Sequence, residues 1–172
     1  MKSKLLKIKM ILMDVDGVLT DGDIIYSSAG NEMKKFCVQD GMGITLARLA
    51  GIKTGIITGR SSELVLRRAE ELSFDIVSQG NRQKLETYEQ IKKEYNFYDE
   101  EIAYIGDDIP DLSILKRVGF SVAVANARDE VKALCDYVTV QPGGRGAVRE
   151  VIDKILKRQD KFYQLLEELS EK

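Results

Sequence analysis

The hydrophobic positions of this chain fall into short runs rich in isoleucine and valine, and the stretches between them carry apolar residues at helical spacing. Short apolar runs without polar alternation suit strands buried on both faces, as in a parallel sheet covered by helices on each side. The runs predict strands over residues 9–13, 54–58, 75–78, 103–106, 121–125 and 137–140. Helices are predicted over residues 42–50, 61–72, 83–95, 110–118 and 130–134, several of them stopped by Gly or Asn. The fold class that follows is α/β, a doubly wound, mainly parallel sheet.

One stretch breaks the alternation. Residues 23–38 hold Ile24, Ile25 and Tyr26, a turn-forming Ser28-Ala29-Gly30-Asn31, and then a period-two element, which predicts a β-hairpin projecting from the first crossover. The opening MKSKLLKIKMILM has the basic-then-apolar order of a leader peptide. Its apolar run is short and no small-residue cleavage site follows, so it reads as the lead-in to a buried strand. Residues 159–172 read as a charged amphipathic helix or a mobile tail. With 172 residues, no repeat and no proline-rich linker, the chain is expected to form one domain, residues 1–172.

Charge and composition narrow the function. Lys and Arg number 26 against 28 Asp and Glu, and the signs are interspersed, so there is no basic face suited to a phosphate backbone and nucleic acid is not an expected partner. No apolar run is long enough to span a membrane. The absence of histidine removes the commonest general base and the commonest transition-metal ligand, leaving carboxylates, lysine and hydroxyls to do any chemistry. Cys37 and Cys135 have no metal-ligand spacing and read as packed, reduced thiols of a cytoplasmic protein.

Candidate chemistry gathers where such sheets bind ligands, beyond the carboxyl ends of the strands. Asp14 and Asp16 follow the first predicted strand, Thr58-Gly59-Arg60 end the second, Lys84 opens the helix after the third, and Gly106-Asp107-Asp108-Ile109-Pro110-Asp111 end the fourth. Any one of these has a bland explanation, because aspartates cap helices and glycines close turns. The ordered set does not. A carboxylate nucleophile is repelled by an anionic phosphate ester unless cations lie over the phosphoryl oxygens. Mg²⁺, which takes one or two carboxylates and keeps its remaining sites for water and phosphate oxygen, suits Asp14, the backbone carbonyl of Asp16, and Asp107. Gly17 permits the turn that brings Asp14 and Asp16 to one side.

From residue 9 to residue 140 this set resembles the four motifs of the haloacid dehalogenase superfamily. The resemblance implies Asp14 as nucleophile, Asp16 as acid and base, Thr58 and Lys84 as phosphate binders, and Asp107 as a magnesium ligand, with Asp108 and Asp111 supporting the metal and Lys84. It implies a capless member, since only the hairpin interrupts the fold. Asp14 to Gly22, Gln39-Asp40-Gly41-Met42-Gly43 and Gly143-Gly144-Arg145-Gly146-Ala147-Val148-Arg149-Glu150 resemble the 3-deoxy-D-manno-octulosonate 8-phosphate phosphatase branch most closely. That branch implies a small sugar-acid phosphate as substrate, a role in making lipopolysaccharide, and a homotetramer built through the hairpins. A nine-carbon sugar-acid phosphate is the alternative substrate. A receiver-like phospho-switch or a non-catalytic assembly module are the alternatives of a different class. Arg60 suits the carboxylate of a sugar acid, since guanidinium holds it with two parallel bonds. Arg68, two helical turns further, and Arg145, on a glycine-rich loop expected to be flexible, are additional candidates, with Gly17 and Gly59 offering close backbone approach.

Overall fold

The four residues of Met10–Met13 are fully buried, and this is the strand around which the molecule is organised. The computed structural model describes residues 2–171. In chain order it contains α1 (Lys2–Lys7), β1 (Met10–Met13), β2 (Ile25–Tyr26), β3 (Glu32–Met33), α2 (Val38–Leu49), β4 (Lys53–Ile57), α3 (Glu63–Glu71), β5 (Ile76–Ser78) and α4 (Lys84–Tyr95). There follow β6 (Ile102–Gly106), α5 (Leu112–Leu115), β7 (Phe120–Ala123), α6 (Asp129–Lys132), β8 (Tyr137–Val138), α7 (Ala147–Arg158) and α8 (Phe162–Ser170). Six strands form one parallel sheet in the order β5-β4-β1-β6-β7-β8. The chain leaves β1 for β4 on one side and later returns to its other side as β6, so the strand order reverses beside the end of β1. That reversal opens the crevice in which doubly wound sheets bind ligands.

All six strands of this sheet lie where the hydrophobic runs place them, shifted by one or two residues at the ends. The hairpin forms too, though its ladder is only two residues long on each side, Ile25 opposite Met33 and Tyr26 opposite Glu32. Beyond the ladder the chain stays extended as far as Cys37, the residue that precedes α2, so the hairpin region ends one residue sooner than expected. Along this stretch Glu32, Lys34 and Phe36 turn toward the body while Met33 and Lys35 turn outward.

The lead-in to β1 is itself a helical turn, Lys2–Lys7, whose Leu5 is buried. Of the two readings of the last residues the helix holds, and it is docked: Phe162 and Leu165 of α8 are buried, Gln159 Nε2 donates to the carbonyls of Leu5 (2.9 Å) and Ile8 (2.8 Å), and Lys161 Nζ donates to that of Ala50 (2.9 Å). One expectation is corrected. The segment read as a glycine-rich late loop opens α7, a helix whose Val148, Val151, Ile152, Ile155 and Leu156 are buried.

A buried acid joins α2 to α7. Asp40 is 1% exposed, and its carboxylate accepts from the backbone N–H groups of Gly146 (3.2 Å) and Arg149 (2.9 Å), the otherwise unpaired donors at the start of α7. Burial raises the Asp40 carboxyl, opposed by these backbone donors. Replacing it with Ala leaves the donors without a partner in a dry place, at a cost of about 1–3 kcal/mol. Asp40→Ala is therefore expected to lower the urea midpoint clearly, and Asp40→Asn, which keeps one acceptor oxygen, to lower it less. Equal stability of Asp40→Ala and the parent protein in urea titration would remove this cap from the fold's support.

Candidate active site

The turn after β1 is held almost entirely by its own backbone. Asp14 N–H donates to Ile105 O (3.0 Å), continuing the pairing with β6, and the N–H groups of Val18, Leu19 and Thr20 all converge on Val15 O at 2.9–3.3 Å. This compact loop points both Asp14 and Asp16 into one cleft of about 440 Å³. Gly17 sits at φ +94°, and a Cβ there would overlap the Asp107 carboxylate, so glycine is required both for the backbone angle and for space. Gly17 itself does not line the cleft; it makes room for a residue that does.

Thr58, Gly59 and Arg60, from the end of β4, form a second wall, and Lys84, at the first position of α4, supplies the floor. The third side is Asp107, Asp108 and Pro110, after β6. The sequence reading missed Arg82, which also lines the cleft and whose stem passes over Gly59. Its position two residues before Lys84, in the turn ahead of the helix, was the available signal.

Lys84 is the electrostatic centre. Its side chain is 3% exposed, and its Nζ lies 2.8 Å from Asp14 Oδ2 and 2.8 Å from Asp111 Oδ1. Burial acts to lower the ammonium's pKa, but the Asp111 and Asp14 carboxylates outweigh it and the net direction is up. Asp111, fully buried, also accepts from the Tyr104 hydroxyl (2.7 Å) and from the Asp107 N–H (3.0 Å). Its acceptor capacity is committed to the scaffold, so it serves to hold Lys84 rather than to reach into the cleft.

Of the remaining carboxylates, Asp107 is short of partners. Asp107 Oδ1 is buried with no hydrogen bond. Burial, then the Asp111, Asp14 and Asp108 charges, pushes the Asp107 carboxyl up to about 7. Burial and Asp111 push Asp14 up to about 6 against the opposing pull of Lys84. Carboxylate oxygens of Asp14, Asp107 and Asp111 lie within 4.8 Å of one another. An orphaned buried oxygen amid crowded carboxylates is a donor set deficient in positive charge, and its hard oxygens fit Mg²⁺. Asp108 does less than expected: it is exposed, and its Oδ1 accepts from Ile109 N–H (2.8 Å), capping the 3₁₀ turn Ile109–Asp111.

Two expected ligand-binding arginines lie elsewhere. Arg68 pairs with Glu71 (3.1 Å) and packs over the Phe36 ring at 5.9 Å, outside the cleft. Its place on α3 turns it toward Gly41 of α2, where a Cβ would come within 2.5 Å of its guanidinium. Arg145 is exposed and also outside the cleft. Its loop is not flexible: Gly143 N–H donates to Asn126 Oδ1 (2.8 Å), Gly144 N–H donates to Val18 O (2.9 Å), and side chains at either position would collide with the backbone of residues 17–21. The glycines let this loop press against the turn after β1. Arg60 does line the cleft, but Glu32 of the hairpin already engages it at 3.1 Å.

Comparison with known proteins agrees with this geometry. Residues 71–152 match the haloacid dehalogenase-like hydrolase family. The 3-deoxy-D-manno-octulosonate 8-phosphate phosphatase of Escherichia coli K12 is 43% identical over 155 residues, covering 90% of this chain and 82% of that protein. The crystal structure of the enzyme of that name from Moraxella catarrhalis, in complex with a magnesium ion, a phosphate ion and a KDO molecule, superposes with a TM-score of 0.95 at 44% identity, covering 98% of this chain and 97% of that one. The cobalt-bound form of the corresponding phosphatase from Haemophilus influenzae superposes with a TM-score of 0.89 at 40% identity, covering 92% and 93%. These relatives are phosphatases rather than receiver domains, in keeping with an acidic residue placed two positions after Asp14. The chain belongs to the haloacid dehalogenase-like hydrolases, in the family of the 3-deoxy-D-manno-octulosonate 8-phosphate phosphatases.

Proposed function

We propose that this protein hydrolyses 3-deoxy-D-manno-octulosonate 8-phosphate to the free sugar acid and phosphate. The observation that carries the reading is the convergence of Asp14, Asp16, Lys84 and Asp107 on one cleft at the end of β1 in a chain 43% identical to enzymes of that name. Asp14 is the nucleophile: its carboxylate oxygen bonds to phosphorus as the ester oxygen leaves, and Asp16 gives that oxygen a proton. Asp16 then takes a proton from the water that attacks the aspartyl-phosphate, which returns Asp14 as a carboxylate and releases phosphate. Lys84 and Thr58 face the phosphoryl oxygens, and Lys84 keeps Asp14 oriented through their 2.8 Å contact.

Asp14, Asp107 and the backbone carbonyl of Asp16 are the groups to hold Mg²⁺. When bound, the ion neutralises the phosphoryl charge that would otherwise repel the nucleophile.

The cleft is open, with no cap over it, and the hairpin exposes Ile24, Ile25, Tyr26 and Met33 by 40–64%, with Ile25 and Met33 paired on its outer face. Further copies of the chain would cover this apolar face and its unpaired strand edges, and a homotetramer built through the hairpins is the assembly we propose. Phe36, on the inward face, is packed against the core. Among the described residues no helix is long and apolar enough to cross a membrane. Free Cys37 and Cys135 support a reducing compartment, and we place the enzyme in the cytoplasm, making the inner sugar of lipopolysaccharide.

Asp14→Asn is expected to fold and to lose phosphate release from the sugar-acid phosphate by more than about 10³-fold. Activity within tenfold of the parent would refute the nucleophile. The pH dependence of magnesium binding follows from the raised carboxyls. Asp14 and Asp107 favour the protonated form in the fold, so the stability they contribute is complete below about pH 4 and is lost as pH rises through about 6 and 7. Metal binding needs the ionised forms, so Mg²⁺ is expected to raise the melting temperature more near pH 8 than near pH 5.5, and an equal rise at both would contradict this account. Sedimentation checks the assembly: Ile25→Glu with Met33→Glu is expected to yield a smaller species than the parent, and a parent that sediments as a monomer would exclude the tetramer.

A further inference from the structure

The inward face of the hairpin puts two charged side chains beside the cleft, Glu32 and Lys34, neither of which the known chemistry requires. Lys34 is unusual for a lysine on a projecting loop, because its side chain is only 2% exposed. Its Nζ pairs with Asp16 Oδ1 and lies 3.7 Å from Glu32 Oε1. The same Glu32 oxygen is 3.1 Å from Arg60 Nη2, and Arg60 Nε is 3.7 Å from Asp16 Oδ2. Asp16, Lys34, Glu32 and Arg60 thus close a ring of alternating charge. Ser62 Oγ, donating to Glu32 Oε2 at 3.3 Å, ties the ring to the turn before α3.

We propose that Lys34 is a positioning residue that aims the Asp16 carboxyl group into the cleft. The inference rests on the acid–base reading of Asp16 given above. Lys34 does not line the cleft and is nearly inaccessible, so it meets no substrate directly; what it touches is Asp16. An aspartate side chain has two rotatable bonds, and one strong contact on Oδ1 suffices to fix both. With Lys34 on Oδ1, the free oxygen is Oδ2, since Arg60 Nε at 3.7 Å is beyond hydrogen-bond reach. Oδ2 is then the atom that hands its proton to the ester oxygen as the bond from that oxygen to phosphorus breaks and the bond from Asp14 forms. Without Lys34, Asp16 loses the contact on Oδ1 that fixes its rotamer, and its carboxyl group is free to turn away from the cleft.

Leaving-group dependence tests this. An alkoxide needs a proton in order to leave, whereas the nitrophenolate of p-nitrophenyl phosphate does not, and kcat/KM reports the step in which the leaving group departs. Lys34→Met is expected to lower kcat/KM for 3-deoxy-D-manno-octulosonate 8-phosphate about 10- to 100-fold while leaving that for p-nitrophenyl phosphate within about threefold. Lys34→Arg should restore most of the loss, and Lys34→Met should add nothing to the defect of Asp16→Asn. Equal losses on both substrates, or losses that multiply with those of Asp16→Asn, would overturn the proposal, because they mark general damage or a direct substrate contact. Retained p-nitrophenyl phosphate turnover in Lys34→Met guards against misfolding. Undiminished turnover of the sugar phosphate by Asp16→Asn would be a different result, removing the acid itself and this inference with it.

Discussion

The ammonium of Lys84 is the one buried cation facing Asp14, Asp107 and Asp111 at the centre of the molecule, and the rest of the site depends on that imbalance. Charges taken out of water cost several kcal/mol each unless paired, and one cation cannot satisfy three anions. The structure resolves part of the conflict by giving Asp111 everything it can accept, from Lys84, Tyr104 and the Asp107 N–H. It leaves Asp14 and Asp107 raised and Asp107 Oδ1 bare. That residual deficit draws in both a divalent cation and, through it, an anionic substrate.

Such a site works only if it does not relax, and the surrounding packing is arranged to prevent it. β1 ends between two hydrogen-bonded neighbours, β4 and β6, so Asp14 starts from a backbone that cannot shift independently. From outside, Gly143 and Gly144 press on residues 17–21 so closely that neither tolerates a side chain. The loop bearing those glycines leads directly into α7, and α7 is clamped to α2 by the two backbone bonds to Asp40. Helix docking and the placement of Asp14 are in this way one mechanical system, linked through a tight glycine loop.

The hairpin has two faces with separate consequences. Its outward Ile25 and Met33 are apolar and suit contact with other copies of the chain, while its inward Glu32 and Lys34 engage Arg60 and Asp16. An element that replaces a cap domain can therefore bear on both assembly and catalysis. It also holds the Arg60 guanidinium through Glu32, whereas Arg82, which lines the same cleft, forms no ion pair among the described residues and is the less encumbered cation of the rim.

By itself the sequence determined the sheet, the cleft and most of the residues that line it. Apolar runs buried on both faces specify strands through local composition, and residues just past such a run must emerge at its carboxyl end, so Asp14, Thr58 and Asp107 could be placed without knowing any distance. The hairpin was legible for the same reason, through its period of two and its turn residues. Tertiary structure alone decided the contacts between residues far apart in the chain: Asp40 with Gly146 and Arg149, Lys34 with Asp16, Glu32 with Arg60. It decided as well that Arg68 faces Phe36 and Glu71 and that the Gly143 loop is tight. Periodicity tells which residues share a face of an element, but which neighbour that face meets depends on how the elements pack, and that information is spread over the whole chain.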